Sequence, residues 1–222
     1  MIRTEIFEAP AWNRREIMRY ARISGADDSF DSLISECIAE AEASLSYRVC
    51  YSVLSVEYKD DSLYLGSIRA PYDTIKKAIR SANEVVLFAA TVGAPFDRLI
   101  QKYSLLAPSK ALIMQAIGAE RVESLCDAFC EKMDTDLSKG GKCLTPRVSP
   151  GYGDIPLAMQ KDVFAVLDCP RKIGLTLDSS LMMSPTKSVT AVAGIVDGCR
   201  EAEQHKCASC EKTDCAYRTE RK

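Results

Sequence analysis

The sequence predicts an α+β protein: a single domain with a twisted, mostly antiparallel or mixed sheet flanked by helices. Three observations lead there. Segments of helical period are interleaved with a few separated strands, an order that suits a single α+β or α/β domain with a mixed sheet. The run "VVLFAATV" (85–92) is apolar throughout, as suits a strand covered on both faces. The stretch "YRVCYSVLSVEYKDDSLYLGSI" (47–68) has the β-branched and aromatic content of a hairpin turning near Lys59–Asp61.

In chain order, residues 10–23 read as a short helix after Pro10, closed near Gly25. In "DDSFDSLISECIAEAEASL", Leu33, Cys37, Ala41 and Leu45 recur every four residues, an amphipathic helix behind acidic N-terminal residues. After the hairpin comes a short helix around "DTIKKAIRSA", then the apolar strand, ended by Gly93. "APFDRLIQKY" starts a helix with Pro95 in its first turn, and the longest helix covers Pro108 to about Met133. "LAMQKDVFAVLD" (157–168) is helical; "LTLDSSLMMSP" and "KSVTAVAGIV" are extended and joined by a turn at Ser184–Lys187. There is no internal repeat, low-complexity tract or linker, so residues 1–197 form the domain and residues 198–222 a cysteine-rich tail.

With 222 residues, 47% of them hydrophobic, the chain can bury a substantial core. A net charge of −2 supplies no basic excess for nucleic acid or an anionic membrane. The N-terminus carries Arg3, Glu5 and Glu8 and has no secretory h-region, and no run nears the ~18 apolar residues of a membrane span, so a cytosolic protein is expected. There, ten cysteines are not a disulfide framework. Cys37, Cys50, Cys126, Cys130, Cys143 and Cys169 lie among apolar neighbours and read as small hydrophobes. Trp12, the one tryptophan, is expected to anchor the first helix, and Met182 and Met183 to pack in the core or at a pocket edge.

Two features carry chemistry. On a helical wheel Glu123 falls on a stripe with Leu112, Ala116, Ala119, Cys126 and Cys130, while Glu120, Ser124, Asp127 and Glu131 form the polar face. A carboxylate among small apolar side chains takes up a proton or finds a cation, either an internal partner or a ligand group. The loop "RVSPGYGDIPL" (147–157) is the second feature. Pro150 and Pro156 stiffen it, Gly151 and Gly153 permit unusual backbone angles, Arg147 offers a planar fork for a carboxylate or phosphate, and Tyr152 a flat face. By composition it is a connecting turn or a ligand cradle; it lacks the spacing of a phosphate-binding loop or dinucleotide fingerprint.

Residues 147–189, with Arg147, Pro150, Gly151, Tyr152, Gly174, Leu177, Met183, Pro185, Ser188 and Val189 in register, resemble the activation domain of cobalamin-dependent methionine synthase. The resemblance is clear over about 145–195 and implies a free-standing short form of the family. It implies that the chain binds S-adenosylmethionine and supports reductive methylation of cobalamin (vitamin B12). It implies that Arg147 holds the methionyl carboxylate, Glu123 the ammonium or ribose side, with Val148 and Pro150 as neighbouring backbone and Gly151 and Tyr152 shaping the pocket. The family's tyrosine beyond the Ser-Val strand and its N-terminal aspartate have no counterpart here. The family's corrinoid carriers use an Asp-x-His-x-x-Gly segment, whereas His205 is the one histidine and lies in "EQHKCAS". The cobalamin is therefore expected on a partner methionine synthase subunit. The alternatives are a metal-stabilised docking module for a corrinoid protein, or an activator of a different corrinoid methyltransferase.

In the tail, Cys199, Cys207, Cys210 and Cys215 follow a C-x7-C-x2-C-x4-C spacing that suits a four-thiolate metal site. Spacing leaves an iron–sulfur cluster, zinc and free thiols open. A cluster would serve as an electron relay beside, or in place of, a flavodoxin or ferredoxin.

Overall fold

The computed structural model describes residues 1–23, 28–60 and 62–198. The first elements are β1 (Arg3–Phe7), α1 (Arg14–Tyr20), α2 (Asp28–Glu42), β2 (Tyr47–Lys59), β3 (Ser62–Leu65) and β4 (Ile68–Arg69). The middle holds α3 (Asp73–Ile79), β5 (Glu84–Thr91), α4 (Ala94–Leu106), α5 (Pro108–Ser138) and β6 (Lys142–Leu144). A short 3-10 turn at Leu157–Met159 then leads into α6 (Gln160–Leu167), α7 (Cys169–Ile173), β7 (Thr176–Leu177), β8 (Met183–Ser184) and β9 (Ser188–Asp197).

The main sheet runs β4-β3-β2-β5-β9-β6, with β1 also on β2, and β7 and β8 make a separate pair. Every pairing among the described strands is antiparallel. β5 is the central strand, bonded to β2 from Glu84↔Ser55 to Thr91↔Arg48 and to β9 from Glu84↔Ile195 to Thr91↔Ser188. Its alternate side chains enter two cores. Val86, Phe88 and Ala90 face α1, α2, α4 and α5, while Val85, Leu87 and Ala89 face α3, α6 and α7. Burial on both faces is why this strand is a continuous apolar run. β9 does the same but needs a glycine: a Cβ on Gly194 would come within 2.9 Å of the Ile79 backbone, so α3 can lie directly on the sheet.

The expected fold class and the order of the main elements are those observed. Pro95 and Pro108 sit in the first turns of α4 and α5. Of the scattered cysteines, Cys37, Cys50, Cys126 and Cys169 are buried and Cys130 and Cys143 half-buried. Trp12 immediately precedes α1, and Arg121 stacks over its ring at 3.9 Å.

Several expectations are corrected. The first helix occupies only 14–20, because Pro10 and Ala11 give their carbonyls to Arg121 and the Asn13 side chain caps Glu16 N. α5 continues to Ser138, its amphipathic pattern fading where it passes the sheet edge. The segment 175–185 is not one extended strand; Asp178 accepts from Ser180 and Met182 and curls it into the β7–β8 hairpin. Met182 is exposed there. β1 is not among the expected elements; it is short and only partly buried.

Candidate functional site

The site forms where the chain returns from α5 to the sheet. After the turn at Gly140–Gly141, β6 joins the edge of β9. The backbone then stays on that edge: Thr145 N donates to Gly194 O at 2.8 Å, and Val148 and Val192 exchange bonds of 3.0 and 2.9 Å. Pro150 has no N–H to give, and the ladder stops. Strand-like alternation turns Val148 toward the α3–α6 core and Arg147 toward α5.

Arg147 is held by two carboxylates one helical turn apart. Its Nη2 donates to Glu123 Oε2 at 2.8 Å and its Nη1 to Asp127 Oδ1 at 2.6 Å. The arginine side chain is 24% exposed, those of Glu123 and Asp127 45% and 61%. Burial opposes the guanidinium charge, but the Asp127 and Glu123 carboxylates outweigh it and raise the pKa. The same burial pushes the Cys130 thiol up to about 11, so it is no nucleophile here.

The cluster divides two clefts. One, of about 270 Å³, lies between α1 and α5 and is lined by Glu16, Arg19, Tyr20, Glu120 and Glu123 among others. The second, of about 450 Å³, lies between α5 and the 144–147 segment, lined by Cys130, Glu131, Asp134 and Arg147. Asp127 borders both.

Glu123 and Arg147, picked out from sequence, are thus brought together: the cation that Glu123 finds is an internal partner, Arg147, and Glu123 is half exposed rather than set among apolar side chains. The buried carboxylate is Glu120, assigned by the wheel to the polar face: it is 2% exposed and paired with Arg121, itself 0% exposed. Glu120 also accepts from Asn13 N and Ser124 Oγ.

The other loop residues take different places. Val148 and Pro150 pack inward against Leu87, Met159 and Val163. Gly151 (φ +94°) and the exposed Tyr152 form the tip, and Tyr152 lines neither cleft. The tip is pinned to α3: Asp154 accepts from Asp73 N at 2.7 Å and Thr74 N at 3.0 Å, capping that helix from 80 residues away. Gly153 (φ +58°) makes this approach possible, since a Cβ there would lie 2.2 Å from Thr74 Oγ1. Asp127 and Asp154 were not singled out from sequence. Asp127 could have been, because it stands at i+4 from Glu123 on the helix; Asp154 carries no local signal. Among the described residues no cluster of metal-binding side chains occurs. Cys199, Cys207, Cys210, Cys215 and His205 lie outside the described residues.

A family model described as vitamin B12 dependent methionine synthase, activation domain, matches residues 66–222. The chain belongs to this family. The match starts at the turn between β3 and β4, takes in α3 to β9 and runs through the cysteine-rich tail, well beyond the 145–195 segment that carries the resemblance in sequence. A crystal structure of the MetH reactivation domain bound to AdoHcy is similar in fold, with a TM-score of 0.62 at 11% identity, covering 87% of this chain and 78% of that one. No curated protein matches the chain. The activation-domain family thus has here a member with its arginine loop laid along β9 and clasped by α5. No helix among the described residues is long and apolar enough to cross a membrane.

Proposed function

We propose that this chain binds S-adenosylmethionine and supports reductive methylation of cobalamin carried by a partner methionine synthase subunit. The observation that carries the reading is Arg147, half-buried between two clefts and held by Glu123 and Asp127 in a chain of the activation-domain family. AdoHcy, bound to the structurally similar MetH domain, has the amino-acid end that such a set fits: a carboxylate for the guanidinium fork and an ammonium for Glu123. Exchanging the Arg147–Glu123 contact for two contacts to a zwitterion costs little, because partly exposed ion pairs contribute only about 0–1 kcal/mol. Val148 and Pro150 fix the arginine by packing, and Gly151 and Tyr152 stand at the loop tip, where docking a corrinoid protein would bring them into use.

The ligand's sulfonium and the partner's reduced cobalt supply the chemistry, methyl transfer, while this chain positions the donor and limits water. We further read the four tail cysteines as thiolate ligands of an iron–sulfur cluster or zinc, on their spacing alone. A cluster would pass the reducing electron, received from a flavodoxin or ferredoxin.

Calorimetric titration with S-adenosylmethionine tests the site. Arg147→Ala is expected to weaken binding by tenfold or more, the worth of a charge-assisted bidentate bond, with thermal unfolding little changed. Glu123→Gln should weaken it less. A wild-type chain that binds no S-adenosylmethionine overturns the reading.

A further inference from the structure

We infer that Asp127 selects the charge of the ligand: it makes the site prefer the sulfonium S-adenosylmethionine over the uncharged thioether S-adenosylhomocysteine. The inference rests on the ligand assignment above and deepens it. Arg147 is the one cation of the cluster, while Glu123 and Asp127 both contact it, so the three side chains sum to one negative charge. S-adenosylmethionine carries a carboxylate, an ammonium and a sulfonium and sums to one positive charge. S-adenosylhomocysteine, lacking the sulfonium, sums to zero. The fork and Glu123 together neutralise a carboxylate and an ammonium, which both ligands possess. That leaves Asp127 as the carboxylate without a counterpart in the neutral ligand.

Its position suits this task. Asp127 stands at the rim where both clefts meet, so a ligand whose carboxylate reaches Arg147 must pass beside it whichever cleft holds the remainder. At 61% exposure it is free to release Arg147 Nη1 and turn toward a neighbouring positive charge. In the larger cleft Glu131 and Asp134 add to the same negative field. A neutral ligand has no sulfonium to gain from that turn, while the repulsion between Asp127 and the carboxylate is common to both ligands. Discrimination comes from charge alone and needs no contact with the methyl group.

The test is paired calorimetry with both ligands on the full chain. The wild type is expected to favour S-adenosylmethionine by about two- to fivefold, the size of one partly exposed charge interaction, and the ratio should fall at high salt. Asp127→Asn should weaken S-adenosylmethionine, leave S-adenosylhomocysteine unchanged or tighter, and bring the ratio near one. Asp127→Glu should restore the preference. Equal weakening of both ligands in Asp127→Asn would reduce the residue to a brace for Arg147 and overturn the inference, as would an unchanged ratio. Binding of neither ligand by the wild type would instead reject the ligand assignment itself.

Discussion

Glu120 and Arg121 are consecutive in sequence and buried together, with the guanidinium also donating to the carbonyls of Pro10 and Ala11 and lying on Trp12. An ion pair so enclosed contributes little net stability, but removing one partner leaves an uncompensated charge. Arg121→Met is therefore expected to cost about 3–5 kcal/mol, read from urea unfolding, and a companion Glu120→Leu change should recover much of that loss. Helical periodicity could not reveal the pair. A wheel orders residues around an axis, but which side faces the protein is set by what packs there, and Glu120 is satisfied by Asn13, 107 positions away. Glu123 was found for a reason that proved wrong, its supposed burial, and in the right neighbourhood, because one turn of α5 carries both it and Asp127 past Arg147.

Individual elements show the same division. The helix starts at Pro95 and Pro108 and the doubly covered strand β5 were legible, since each is written in residues a few positions apart. The cap of α3 was not: its own Tyr72 makes no side-chain cap bond, and Asp154 supplies one from the ligand loop. Hydrogen bonds from Thr74, side chain and backbone, hold the Asp154 carboxyl down at about 2, below the usual range near 4. A depressed carboxylate stabilises the fold above its unfolded pKa, and the contribution disappears as pH falls from about 4 through about 2. Asp154→Ala should remove this acid-sensitive component. Hydrogen exchange should then show faster exchange at the Asp73 and Thr74 amides and around Gly151 and Tyr152, with Asp154→Asn in between. Exchange unchanged in the alanine variant would mean that the loop tip is held by its internal bonds alone.

On the scale of the whole molecule, one sheet separates two helical layers, and the arginine loop is clamped on both sides of it: by α5 through Arg147 and by α3 through Asp154. Among the described residues, the two cores draw on side chains from Ile2 to Val196. If the tail cysteines hold metal as proposed, replacing Cys199, Cys207, Cys210 and Cys215 by serine should abolish bound iron or zinc in anaerobically purified protein. Thermal unfolding of the domain and titration with S-adenosylmethionine should stay near wild type. A wild-type chain free of both metals would remove the thiolate site and the electron relay with it.

From the sequence alone came the α+β class, the order of helices and strands, the family, and Arg147 and Glu123 as the charged pair. These are recorded in local spacing and in a contiguous motif, where period and residue type suffice. Tertiary structure decided which carboxylate is buried, that the pair touches, that Asp127 joins it and that Asp154 anchors the loop. Each of these depends on groups brought together across the fold, and a charge is placed by the partner that neutralises it rather than by its neighbours in the chain.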